Sequence, residues 1–72
     1  MTGTVYGFGE DGSVVVRMST GDFSVIEVLG GHDMEINDEL TGRLDRLGSC
    51  FIKNKTQLED KISIVIERIY HP

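Results

Sequence analysis

A chain of 72 residues, 39% hydrophobic and 26% charged, is long enough for one small domain, burying only about 60% of its unfolded surface. Its composition excludes a disordered chain, and no apolar run approaches the roughly 20 residues of a membrane-spanning helix. The whole net charge of −5 falls in residues 1–36, where six carboxylates face one base, Arg17, while residues 37–72 balance six against six. Val and Ile are frequent and Ala is absent, a bias toward strands because β-branched side chains lose rotamer freedom in helices.

The predicted elements begin with three strand-like runs, Thr4–Phe8, Ser13–Ser19 and Phe23–Leu29. Asp11-Gly12 and Thr20-Gly21-Asp22 separate them as turns, which makes a continuous antiparallel meander. In the second run Val14, Val16 and Met18 are expected to face inward, with Ser13, Val15 and Arg17 outward. The third run is less regular. Phe23 and Val25 share one face, and Ser24, Ile26 and Val28 the other. A bulge near Val25-Ile26 would bring both sets to a barrel interior, and a strand packed on two sides is the alternative.

Gly30-Gly31 closes the meander, and His32–Asn37 reads as a connector with room for one helical turn. Glu39–Leu47 is expected to return as a strand, Leu40 and Leu44 pointing inward around Gly42. Gly48-Ser49 suits a two-residue type II′ turn into Cys50–Lys53, a short strand. Asn54–Lys61 reads as a polar excursion. Ile62–Ile69 is the last and most apolar strand, with Ile62, Ile64 and Ile66 inward, Val65 outward, and Tyr70–Pro72 as a tail. The expectation is an all-β domain over residues 1–72, a five- to six-stranded antiparallel OB-like small barrel, with another SH3-like barrel as the alternative. Closure is favoured because an open sheet of this length would leave apolar edges exposed.

Little in the chain points to catalysis. His32-Asp33-x-Glu35 has metal-capable groups without the spacing of a ligand set, and His71 is terminal. Cys50 has no sequence neighbour able to act as its base and reads as a small buried hydrophobe. Gly30-Gly31 lacks the Lys-Ser/Thr of a phosphate loop. The expectation is a non-enzymatic domain with no catalytic residue, no metal and no cofactor. One cysteine and no signal-peptide pattern suggest a cytoplasmic setting, so the glycosylation-like triplet at Asn54 carries no weight.

Gly3-Thr4-Val5-x-x-Phe8, Asp22 before an apolar strand, and Ile36–Gly42 resemble the corresponding stretches of cold-shock domains within the OB barrels. The resemblance implies single-stranded nucleic-acid binding by aromatics stacked on outward faces of the first three strands. Carried over by position, it offers Tyr6, Phe8 and Phe23 as stacking residues and Arg17 as the meander's base. Arg43, Arg46, Lys53 and Lys55 form a second basic footprint, with Lys61 beside it. The first strand departs from the family in having Gly7-Phe8 for its Trp-Phe pair, and the second has Ser13-Val14-Val15-Val16 for an aromatic run.

Two functions follow. The first is a protein-interaction or regulatory module, binding another protein or a second copy through strand edges or the two-faced third strand. The second is a divergent nucleic-acid-binding barrel, which the acidic meander opposes because phosphate binding depends on neutralising bases. No membrane role is expected.

Overall fold

The computed structural model describes residues 1–72 as six strands: β1 (Thr2–Phe8), β2 (Val14–Met18), β3 (Phe23–Val28), β4 (Glu39–Gly42), β5 (Gly48–Asn54) and β6 (Glu59–Tyr70). They close into an antiparallel barrel in the order β1-β2-β3-β6-β5-β4. Two three-stranded meanders, β1–β3 and β4–β6, meet along the β1–β4 and β3–β6 seams. The expected all-β small barrel is the observed fold. Every strand has a neighbour on both sides, so the expected strand edges are not free to take up a partner. No helix of the structure is long and apolar enough to cross a membrane.

The interior is filled by side chains that alternate along the strands: Val5, Val14, Val16, Met18, Ile26, Leu40, Ile52, Ile62, Ile64 and Ile66, with Leu44 entering from outside the ladder. All the inward residues expected on the second, fourth and last strands are buried. Ser13 is not outward as expected. It precedes β2, and its hydroxyl donates to Asp11 Oδ1 at 2.7 Å while its amide donates to the same oxygen at 3.1 Å. The turn folds over it and leaves it buried.

Further expectations are corrected after β3. The fourth strand stops at Gly42, because Leu44 leaves the sheet to plug the barrel. Reversal then occurs between Gly42 and Gly48, and Gly48-Ser49 opens β5 rather than forming a turn. Lastly, the polar excursion shrinks to a tight Lys55–Leu58 turn, and Tyr70 belongs to β6 rather than to a tail. Asn54 explains the tight turn, since its side-chain oxygen accepts from the amides of Thr56 (3.1 Å) and Gln57 (3.0 Å). The connector after β3 contains no helical turn. It is held extended across β1 by backbone bonds from Asn37 to Val5 (2.8 Å) and from Val5 to Asp38 (2.9 Å).

Gly42 lies where β4 and β5 approach closely. A Cβ there would meet Ile52 Cγ2 at 2.8 Å and the Phe51 carbonyl oxygen at 3.2 Å, and its φ of 151° disfavours L residues. Backbone cannot yield as a side-chain tip can. Gly42→Ala is expected to cost about 1–3 kcal/mol, whereas Gly7→Ala, with open space around it, should stay within about 0.5 kcal/mol. Urea unfolding of the two variants checks the difference, and equal midpoints would contradict the close approach.

Candidate interaction surface

Two bulges decide what the outside of the barrel presents. In β1, Val5 pairs with Val16 and Gly7 with Val15, so Tyr6 is the extra residue. In the β3–β6 seam, Val25 pairs with Arg68 and Ile26 with Ile66, so Glu67 is extra. The irregularity at Val25-Ile26 is therefore where the sequence suggests, but β6 supplies the added residue. As a result β3 alternates without interruption: Ser24 and Ile26 face in, Phe23 and Val25 face out. The expectation that both sets reach the interior is corrected to a strand packed on two sides.

The Glu67 bulge has a larger effect on β6. Strict alternation from Ile62, Ile64 and Ile66 would turn Arg68 and Tyr70 inward and Ile69 outward. One inserted residue reverses this. Ile69 now lies opposite buried Ser24, while Tyr70 pairs with Phe23 and Arg68 with Val25 on the outer face.

Four strands thus assemble one aromatic and cationic patch. Tyr6 leans across β2 and meets Phe23 edge-to-face, ring centroids 5.0 Å apart at 71°. Phe23 lies beside Tyr70 across the seam, and the Arg68 guanidinium sits 6.0 Å from the Tyr70 ring centroid. Arg17 pairs with Phe23 from β2 and is exposed. Val25 beneath them is only 6% exposed although it faces out and lies outside the barrel's core cluster. The patch covers a small apolar layer of its own. Tyr6 remains 62% exposed and Tyr70 50%, so large aromatic surface is still open to a partner.

Carboxylates border the patch. Asp22 Oδ1 lies 3.1 Å from His71 Nδ1, and Asp11, Glu27 and Glu67 line a small recess at the meander's other end. The hydrogen bonds from Ser13 hold the Asp11 carboxyl below the usual aspartate range, with its own backbone and Arg68 contributing less in the same direction.

The residues singled out in the sequence fall in four places. Tyr6, Phe23 and Arg17 come together in the patch. Phe8 does not, because it pairs with inward-facing Val14 and so lies at the barrel's end, half exposed. Arg43 and Arg46 border a shallow recess with Leu47 and Cys50. There the Cys50 thiol donates to the Arg43 carbonyl at 3.4 Å, and burial pushes its pKa up against a smaller opposing pull from Arg43. The thiol is half buried rather than fully buried. Lys53 and Lys55 lie apart from both arginines, in a groove shared with Lys61 and Phe51. His32 of the connector is bonded to Glu59 Oε2 at 2.5 Å, tying the connector to the start of β6.

Sequence reasoning missed Tyr70, Arg68 and Phe51. For Tyr70 and Arg68 the available signal was the bulge itself: a Glu-Arg pair interrupting an Ile-x-Ile-x-Ile run, followed by Ile69, marks a shift in alternation. Comparison with family models, with curated proteins and with solved structures found no match for this chain.

Proposed function

We propose that this barrel is a non-enzymatic protein-interaction module whose contact surface is the outer face carrying Tyr6, Phe23, Tyr70, Arg17 and Arg68. The observation that carries the reading is the gathering of these five residues from four strands onto one face, with two tyrosines half exposed or more. Tyr and Arg are the residue types that dominate binding hot spots, since each offers a large, stiff contact surface with a polar end. The Glu67 bulge, which turns Arg68 and Tyr70 outward, supports the same reading.

The bordering carboxylates favour a protein over a nucleic acid. A strand of phosphates would meet Arg17 and Arg68 but also Asp22 and Glu67, beside an opening half (residues 1–36) that carries −5. The order of meander, connector and returning hairpin supports reading the barrel as OB-like, with one strand more than the usual five of that fold. Such folds host many activities, so the function rests on the surface. The free Cys50 supports a reducing, cytoplasmic setting.

The test compares what the purified domain retains from extract of its own cells with what two variants retain. Tyr6→Ser with Tyr70→Ser should lose specific partners by about 30-fold or more in affinity, the loss of a hot spot worth about 2 kcal/mol. Lys53→Glu, away from the face, should retain them. Equal retention by both variants sinks the proposal. Salt-sensitive capture of a labelled single strand, lost in the tyrosine variant, would assign the face to nucleic acid instead.

A further inference from the structure

On another side of the barrel, β4, β5 and β6 form an open groove of about 850 Å³. Its lining includes Phe51, 58% exposed, and Leu58, 88% exposed. Lys53, Lys55 and Lys61 line it with Asp60 as the one carboxylate, and Lys61 Nζ lies 5.4 Å from the Phe51 ring centroid. Leu58 and Lys61 both take a φ of 57°, uncommon for residues with a Cβ. At Lys61 the cause is a bulge: Ile52 pairs with Ile62 and Asn54 with Glu59, so two residues of β6 oppose Lys53. The groove thus combines exposed apolar side chains with three lysines, and is shaped by backbone irregularity on β6.

The same chain carries a segment of matching chemistry. The β1–β2 hairpin ends in Phe8, half exposed, followed by the exposed carboxylates Glu10 and Asp11. This tip belongs to the acidic half of the molecule, and it shares no residue with the groove. We propose that the groove receives the Phe8–Asp11 tip of a second copy, Phe8 packing on Phe51 and Leu58 while Glu10 approaches the lysines. Because tip and groove are different surfaces, the contact is head-to-tail, and each added copy leaves one tip and one groove free. Association therefore grows into a ring or a short chain rather than stopping at a symmetric dimer. The groove shares no residue with the aromatic face on β1, β2, β3 and β6, whereas Asp11 of the tip lies at that face's border.

Sedimentation velocity over a range of concentrations tests it. The wild-type domain should associate at about 50 mM salt and dissociate at about 500 mM, where the Debye length shortens from roughly 14 to 4 Å. Lys53→Glu with Lys61→Glu disables the groove, and Phe8→Ser with Glu10→Lys disables the tip. Each variant alone should lose about tenfold or more in self-affinity. Mixed one to one, they should form a dimer and nothing larger, since one intact tip then meets one intact groove. Tyr6→Ser with Tyr70→Ser should associate like wild type, which separates this contact from the proposed partner face. A wild-type monomer at all concentrations overturns the proposal, as does failure of the mixture to pair. If the groove variant instead loses binding to a labelled oligonucleotide while no copy associates, the groove serves a polyanion and the proposal is wrong.

Discussion

Leu44→Ala is expected to lower the stability of the barrel by about 2–5 kcal/mol, the usual cost of emptying a leucine-sized space that cannot collapse. Leu44 lies between β4 and β5, outside any strand, yet it is fully buried. It closes one part of the interior against β1. A Cβ placed on Gly3 would fall 2.9 Å from Leu44 Cδ1 and 2.6 Å from Val16 Cγ1, so these groups already fill the space between them. A chain of this length has about 4–11 kcal/mol of stability in all, so the loss approaches half of it and lowers Tm by roughly 10–30 °C. Leu47→Ala, three residues on and largely exposed, should change stability by no more than about 0.5 kcal/mol. Thermal and urea unfolding of both variants decide the matter. Similar midpoints for the two would mean that Leu44 is not the plug described.

Asp38→Ala should be nearly as costly, at about 3 kcal/mol, because it strands several donors at once. The Asp38 carboxylate is buried between the connector and the β5–β6 hairpin. It accepts from Gln57 Nε2 at 2.6 Å, Asn54 Nδ2 at 2.9 Å and the Glu35 amide at 3.0 Å. Burial by itself raises the pKa of this group. The bonds from Asn54, Glu35 and Gln57 together outweigh that effect and hold the carboxyl below the ordinary aspartate value.

The direction of that shift sets the pH dependence. A carboxyl whose folded pKa is depressed stabilises the fold at pH values above its unfolded pKa, near 4, and loses that contribution as pH falls through the folded value. The difference in stability between wild type and Asp38→Asn should therefore be full at neutral pH and shrink on acidification below about pH 4. Asp11, also shifted downward, titrates in both proteins and cancels in the comparison. Urea midpoints measured from neutral to strongly acidic pH check this. A difference that is constant with pH would show that the charge of Asp38 contributes nothing.

The Asp38 network shows where reading the chain in order reaches its limit. Asp38, Asn54 and Gln57 look like ordinary turn residues, each polar and next to other polar residues. Their importance comes from being brought together across sequence separations of 16 and 19, and no local pattern encodes that. The buried carboxylate then requires a tight turn after β5 where a polar loop was the natural expectation. Leu44 is a second such case. Its inward position is legible from the spacing to Leu40, but its departure from the strand is not, since the apolar period alone is compatible with a longer strand.

For the candidate surface the limit is sharper. Period-two alternation places Arg17 outward and identifies Ile62, Ile64 and Ile66 as core without any structure. A bulge inverts the alternation of everything beyond it, so one residue's difference in register decides whether Arg68 and Tyr70 are inside or outside. Register is a property of two strands, and the pairing of β3 with β6 joins segments about 40 residues apart.

The sequence by itself determined the all-β class, the three-stranded opening meander, most of the apolar core and the concentration of acid in the first half. Each of these follows from local chemistry: β-branched content, turn dipeptides, alternation and charge. Only the tertiary structure decided how the barrel closes, that no strand edge is free, and which side chains share a surface. Those depend on register between distant strands and on bulges at Tyr6 and Glu67, which cost the chain a regular ladder; the second turns Arg68 and Tyr70 onto the face that already carries Tyr6, Arg17 and Phe23.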